Sequence, residues 1–286
     1  TMISSSPSLT GSKYGAHVAV GDITGRGRSL IAMSAVDGSH GGSTIILYKL
    51  DNGNRLIETA RIRRNDDTGH YPSAVAFGDV NHDDRLERIA VRSGRSESND
   101  MAQTARTPGS DDTGHYPAAV AFGDVNHDNR LELIAVQSGK IDIYGFDDSF
   151  APSLIASGTI PLDAVKSDDY KAQMTVAAGD LDGDGADEII IGYEQGPDSF
   201  IAVFKGGLTA AGPTIKAFER GKSAPTLSSR DWDGDGMFEI LAAEGAHPGN
   251  DPLLRIYGPG GDLLREISVP GASRYGVVAS FGSVKK

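Results

Sequence analysis

The feature that most constrains this chain is an internal repeat. The segment DDTGHYPSAVAFGDVNHDDRLERIAV begins at Asp66 and returns almost unchanged from Asp111 as DDTGHYPAAVAFGDVNHDNRLELIAV. More distant versions of the same segment lie on both sides of these two copies, and an aspartate opens an acidic loop in each version. These aspartates are Asp22, Asp79, Asp124, Asp180 and Asp231. Because a long, regular period is typical of repeat architectures, this repeat decides the fold class before any local signal does.

Each repeat predicts four short strands and no helix. The first two strands flank the acidic loop, as AVAFG and LELIAV do around the loop of the third repeat. Third strands are expected at 44–50, 140–146, 200–206 and 253–259, and fourth strands at 56–62, 154–160 and 263–269. Four strands in a repeat of about 50 residues predict a blade of a β-propeller. The predicted fold class is therefore all-β, with four-stranded antiparallel blades.

The repeats predict one propeller domain over residues 1–286. Their approximate bounds are 14–65, 66–110, 111–168, 169–221 and 222–272. Five blades are expected, although six or seven remain open, because 273–286 reads either as a closing strand or as the start of a further repeat. The second repeat is the weakest, since its polar stretch at 94–110 contains no convincing third strand.

Composition excludes several classes of protein. A net charge of −12 argues against a nucleic-acid partner, because phosphate binding requires a basic surface. The absence of cysteine excludes disulfides, thiolate metal sites and cysteine nucleophiles. No apolar run is long enough to predict a membrane span, and no apolar N-terminal region predicts an attached secretion signal.

The acidic loops follow the pattern D-x-[DN]-x-[DN], with a glutamate at position nine and a backbone ligand expected at position seven. Alternating oxygen donors in a tight loop point inward and suit calcium, which takes six to eight oxygen ligands. An EF-hand is the competing interpretation, but it requires glutamate at position twelve and flanking helices. The predicted metal ligands are Asp79, Asn81, Asp83, Arg85 and Glu87; Asp124, Asn126, Asp128, Arg130 and Glu132; Asp180, Asp182, Asp184, Ala186 and Glu188; and Asp231, Asp233, Asp235, Met237 and Glu239.

The first loop departs from this pattern. It has Arg26 at position five and Leu30 at position nine, and a cationic arginine repels calcium. About four calcium ions are therefore expected, in loops two to five.

These motifs resemble the FG-GAP, or VCBS, repeat family. The resemblance is carried by Phe77-Gly78-Asp79, Phe122-Gly123-Asp124, the DLDGDG loop at 180–185 and the DWDGDG loop at 231–236. It implies the propeller fold of integrin alpha chains, fungal sugar-binding propellers and modules attached to secreted enzymes and toxins. It also implies that calcium is structural, and that partners bind the opposite face or the clefts between blades.

Aromatic and histidine residues mark the face where a partner is expected. A tyrosine precedes several loop aspartates at the same offset, and histidines adjoin two of these tyrosines. Aromatic rings can stack on sugars, but a recurrent tyrosine can equally pack between neighbouring blades. The candidate ligand-binding residues are Tyr14, His40, His70, Tyr71, His115, Tyr116, Tyr170 and His247.

The sequence therefore predicts a secreted, calcium-stabilised binding module at the cell surface or outside the cell. Its expected partner is a glycan or an extracellular protein. Two alternatives remain open: a polysaccharide lyase or hydrolase, and a scaffold domain of a larger surface or toxin protein. Catalysis is not the favoured interpretation, because no spacing unites His40, His247 and Tyr170 into an acid–base set.

Overall fold

The structure of the protein, a computed structural model, is all-β in the part of the chain that it describes. The described residues are 16–21, 30–36, 43–51, 55–63, 74–78, 87–91, 119–137, 139–146, 152–160, 174–221, 223–245, 247–269, 277 and 279–281. The strands are β1 Ala16–Gly21, β2 Leu30–Val36, β3 Ser43–Leu50, β4 Leu56–Arg63, β5 Ala74–Gly78, β6 Glu87–Val91, β7 Ala119–Gly123, β8 Glu132–Gln137, β9 Lys140–Phe146, β10 Pro152–Thr159, β11 Met174–Gly179, β12 Glu188–Gln195, β13 Asp198–Phe204, β14 Ile215–Phe218, β15 Thr226–Arg230, β16 Glu239–Ala243, β17 Leu253–Tyr257 and β18 Leu263–Ser268.

These strands form antiparallel meanders, in which each strand pairs with the next one along the chain. The four-stranded sheets are β1–β4, β7–β10, β11–β14 and β15–β18, and β5 and β6 form a two-stranded sheet. The described residues thus contain four complete blades, and the expectation of five is corrected. The second repeat contributes β5 and β6 only, and its weak stretch at 94–110 lies outside the described residues.

The chain divides into two compact units, one containing β1–β6 and the other β7–β18. In the second unit, the first strands of consecutive sheets lie side by side, β7 against β11 and β11 against β15. Meander sheets that neighbour one another through their first strands are the blade arrangement of β-propellers. Whether residues 1–286 form a single domain stays a prediction, as does the role of 273–286.

The core of the second unit lies between its blades. Strand β12 is buried along most of its length because both of its faces are covered. Ile189 and Ile191 pack towards β7–β10, whereas Ile190 packs towards β15–β18. A strand covered on both faces has no solvent face, which explains why the sequence EIIIGY shows no alternation of apolar and polar residues.

Most of the expected strands occur close to their predicted bounds. The third strands at 44–50 and 140–146 correspond to β3 and β9, and the fourth strand at 56–62 corresponds to β4. Strand β14 was not expected, because four residues after a proline-containing loop carry too little periodicity to predict a strand. Within the described residues, no helix has the length and apolarity that crossing a membrane requires.

Candidate metal centre

Three acidic loops of the second unit are described, and each one connects the first two strands of a blade. They are 124–131, 180–187 and 231–238. Each loop turns sharply because its fourth and sixth positions have left-handed backbone. The positive φ angles are 59° at His127, 62° at Asn129, 75° at Gly183, 89° at Gly185, 86° at Gly234 and 95° at Gly236. In the two loops that contain DGDG, glycine occupies both of these positions and adopts this backbone without steric cost.

The ninth-position glutamate closes each loop in the same way. Glu132, Glu188 and Glu239 are all nearly fully buried at the start of a second strand. Each glutamate accepts a hydrogen bond from the backbone N–H of the second loop residue. The donors are Val125 at 3.0 Å, Leu181 at 2.8 Å and Trp232 at 2.7 Å. This bond leaves the other carboxylate oxygen of each glutamate for the interior of the loop.

Carboxylates converge in two of these loops. One oxygen each of Asp180, Asp182 and Glu188 lie within 4.8 Å of one another, and the same is true of Asp231, Asp233 and Glu239. The first aspartate of each loop also accepts two backbone N–H bonds, which hold its carboxylate in place. Each cluster could therefore hold a metal ion.

The β7–β8 loop differs, because its third position is an amide. Asn126 Nδ2 donates to Asp128 at 3.2 Å and to Glu132 at 3.3 Å. Asp124, Asp128 and Glu132 do not form a carboxylate cluster of the kind found in the other two described loops. Burial of Glu132 raises its pKa to about 7, and the nearby carboxylates of Asp128 and Asp124 add to this effect.

The remaining sequence predictions can be placed only in part. Of the β5–β6 loop, Asp79, Asn81, Asp83 and Arg85 lie outside the described residues, and so does the degenerate first loop at 22–29; Glu87 is the first residue of β6. At position seven, the N–H groups of Arg130, Ala186 and Met237 donate to the position-five aspartates at 2.8, 2.9 and 2.8 Å. Binding of an ion by these residues stays a prediction.

The candidate ligand-binding residues are mostly beyond the described part of the chain. Tyr14, His40, His70, Tyr71, His115, Tyr116 and Tyr170 lie outside it. His247 is half-buried, and its Nδ1 lies 2.8 Å from the carbonyl oxygen of Pro248.

Lys205, which the sequence did not single out, lies in the β11–β12 cluster. Its ammonium is 2.5 Å from Asp182 Oδ2, 2.9 Å from Asp184 Oδ2 and 2.9 Å from Glu188 Oε1. The hydrogen bonds to Asp182 and Asp184 raise the pKa of Lys205, and the bond from Lys205 lowers the pKa of Asp184. Lys205 directly follows β13. It reaches the β11–β12 loop because β12 and β13 pair with Ile189 opposite Phe204.

Consecutive loops are joined to each other by backbone hydrogen bonds. Asp187 N donates to the carbonyl oxygen of Asp124 at 2.8 Å, and Asp124 N donates to Asp187 Oδ2 at 2.8 Å. One blade further on, Phe238 N donates to the carbonyl oxygen of Asp180 at 2.8 Å. Burial raises the pKa of Asp187 to about 6. The first aspartate of one loop is thus held in place by a residue of the next loop, the one that directly precedes its closing glutamate.

A cleft of about 240 Å³ lies between β14 and β17, on adjacent blades of the second unit. Its lining includes Lys216, Phe218, Glu244, Asp251 and Arg255. The guanidinium of Arg255 lies 5.0 Å from the centre of the Phe218 ring. Burial, followed by the charge of Asp251, raises the pKa of Glu244.

The fold and these loops define a protein of β-propeller type with two acidic clusters suited to a cation. No protein-family model matches the chain, and no curated protein matches it. It is similar to the solved structure of an Agrocybe aegerita lectin described as recognising non-reducing terminal N-acetylglucosamine, with 14% identity and a TM-score of 0.49. That similarity covers 90% of this chain and 66% of the lectin chain, so this chain spans just under two thirds of its length.

Two further solved structures are similar at the same level. AofleA of Arthrobotrys oligospora has 10% identity and a TM-score of 0.48, over 96% of this chain and 92% of that chain. A protein of Lactobacillus plantarum has 14% identity and a TM-score of 0.43, over 92% of this chain and 86% of that chain. All three TM-scores are below 0.5, so these similarities establish neither a family nor a ligand for this chain.

Proposed function

We propose that this chain is a calcium-stabilised β-propeller binding module of the FG-GAP type that acts outside the cell. The carrying observation is the pair of carboxylate clusters, each closed by a nearly fully buried glutamate. All the donors are oxygens, which suits a hard cation, and the chain has no cysteine to favour a soft one. Asp180, Asp182 and Glu188 would hold one ion, and Asp231, Asp233 and Glu239 another.

The structure offers a second reason to place a cation in the β11–β12 loop. Glu188 is 1% exposed, and its buried Oε1 atom is ion-paired with the ammonium of Lys205 at 2.9 Å. A buried carboxylate requires a positively charged partner, and a coordinated metal ion could take the place that the ammonium of Lys205 now occupies. The ion would also tie the start of β12 to the end of β11, since the loop joins these strands.

Trp232 provides a site-specific test of metal binding. It is the only tryptophan of the chain, it is 46% exposed, and it lies between the ligand candidates Asp231 and Asp233. Terbium bound in this loop should give luminescence when Trp232 is excited, and calcium should displace it. Asp231→Asn combined with Asp233→Asn should abolish the signal, whereas the exposed-site control Glu219→Gln should retain it. Equal emission from both variants, or none from the wild-type protein, would contradict calcium binding here.

We further propose that the ligand is a carbohydrate, bound on the face opposite the metal loops. The support is the recurrent tyrosine and histidine pattern of the sequence, in which aromatic rings would stack on sugars and polar groups would orient hydroxyls. A glycan array in calcium buffer should give a restricted set of binders, and Tyr116→Ala should weaken their binding about tenfold or more. Uniform absence of binding would reject the carbohydrate proposal and leave an extracellular protein as the partner class.

A further inference from the structure

Lys205 distinguishes one metal loop from the other. It follows the last residue of β13, Phe204, whose register partner is Ile189 at the start of β12. This register places the lysine next to Glu188, where its ammonium contacts two of the three clustered carboxylates, Asp182 and Glu188, and also the neighbouring Asp184.

The β15–β16 loop has no equivalent cation. There, Ile240 pairs with Tyr257, so the residue in the position of Lys205 is Gly258, which has no side chain. Among the described residues, no ion pair reaches Asp231, Asp233 or Glu239. The two clusters therefore have the same carboxylate geometry but differ by one tethered positive charge.

An ammonium on a lysine stem competes with a metal ion without excluding it. A calcium ion that binds Asp182 and Glu188 requires the oxygens that now contact Lys205, so the lysine must leave before the ion can bind. The side chain is 37% exposed and flexible, and it can therefore turn towards solvent. The pairs with the exposed carboxylates of Asp182 and Asp184 are individually weak, so the need to break them should lower the affinity for calcium rather than prevent binding.

We propose that Lys205 is a built-in competitor for calcium, so that the chain has two classes of calcium site. The β15–β16 loop is the tighter site, and the β11–β12 loop is a weaker site that fills as the calcium concentration rises. The inference rests on the proposed calcium binding. The new element is that the two sites differ in their affinity for calcium, because Lys205 contacts the β11–β12 site and does not contact the β15–β16 site.

Removing the lysine tests this. In calorimetric calcium titrations, Lys205→Met should tighten one class of site about tenfold, because three ion-pair contacts no longer compete. The same variant should leave the midpoint of the Trp232-sensitised terbium signal unchanged. Lys205→Arg should stay close to wild type, since it retains the charge. Lys216→Met is the matched control, because it removes one cation that is paired with Asp198 at 2.6 Å, away from the metal loops.

Thermal melting in excess chelator provides a second measurement. Lys205→Met should melt at a lower temperature than Lys216→Met in chelator, because Asp182, Asp184 and Glu188 then lack any cation. This difference should vanish in saturating calcium.

Identical titrations of wild type and Lys205→Met, with the Trp232 signal intact, would overturn the role of Lys205 and leave calcium binding standing. The role of Lys205 would also be overturned if the β11–β12 loop bound no calcium in either the wild-type protein or Lys205→Met. Loss of the Trp232 signal in all variants, including wild type, would instead reject the proposed calcium function.

Discussion

At the scale of single residues, the glycine before the loop aspartate has a packing role in two of the three described loops; in the third, Arg230 precedes Asp231. A Cβ on Gly123 would lie 2.6 Å from Ala178 Cβ, and a Cβ on Gly179 would lie 2.5 Å from Phe238 Cδ2 and 2.8 Å from Ser229 Oγ. In both cases the obstacle belongs to the next blade. The Gly-Asp pair in the repeat thus combines two functions: the glycine admits the neighbouring blade, and the aspartate starts the loop.

Gly179→Ala should therefore destabilise the protein. Neither obstacle can easily move, since Phe238 N is bonded to the carbonyl oxygen of Asp180 and Ser229 Oγ donates to the carbonyl oxygen of Ala178. We expect a loss of about 1–3 kcal/mol in the free energy of unfolding, measured by urea denaturation. Gly207→Ala is the control, because a Cβ there meets nothing within 4 Å, and it should change stability by no more than about 0.5 kcal/mol. Equal stability of the two variants would contradict this role of Gly179.

At the scale of the strands, the sequence predicts what is periodic and misses what depends on register. The ligand candidates Asp180 and Glu188 could be chosen from spacing alone, because the loop and its flanking strands are contiguous in the chain. Lys205 could not, since its approach to the loop depends on how β13 pairs with β12. The hydrogen bonds from the Asn126 amide to Asp128 and Glu132 were also missed. A ligand pattern treats Asn and Asp as equivalent, although only the Asn side chain can donate.

Glu244, which follows β16, makes a pH-dependent contribution to the stability of the inter-blade cleft. Burial raises its pKa above the ordinary value, so the folded protein retains a proton that the unfolded chain releases. The resulting destabilisation is absent below the ordinary pKa, grows as the pH rises from the ordinary to the raised pKa, and is complete above the raised pKa. Glu244→Gln should therefore unfold at a higher urea concentration than wild type at pH 8.

The difference between Glu244→Gln and wild type should shrink towards pH 4, where both states of the wild-type protein are protonated. The other ionisable groups lining the cleft, among them Asp251, Lys216 and Arg255, are unchanged in this variant. Glu219→Gln, which removes an exposed carboxylate at the same cleft, is the matched control and should show no such trend. A difference that is constant between pH 4 and pH 8 would rule out titration of Glu244 as its cause.

At the scale of the whole molecule, the acidic loops of the second unit are linked in series. Asp187 bonds to Asp124, and Phe238 bonds to Asp180, so the first two of the three described loops are each held by the blade that follows. These bonds connect residues that are distant in sequence, and the repeat pattern alone did not reveal them. An ion that fixes one loop should therefore also fix an edge of the neighbouring blade.

Removal of calcium should consequently lower the melting temperature of the whole second unit. With free calcium about 100-fold above the dissociation constant of the weaker site, each filled site stabilises by at least about 2.7 kcal/mol, and the two carboxylate clusters together by at least about 5 kcal/mol. For a domain of this size that corresponds to a decrease of roughly 10–20 °C in excess chelator, measured by calorimetry. The double variant Asp231→Asn, Asp233→Asn should show no more than about half of that decrease, because only the weaker cluster still responds to chelator. A melting temperature that is the same in chelator and in millimolar calcium would mean that the clusters contribute no metal-dependent stability.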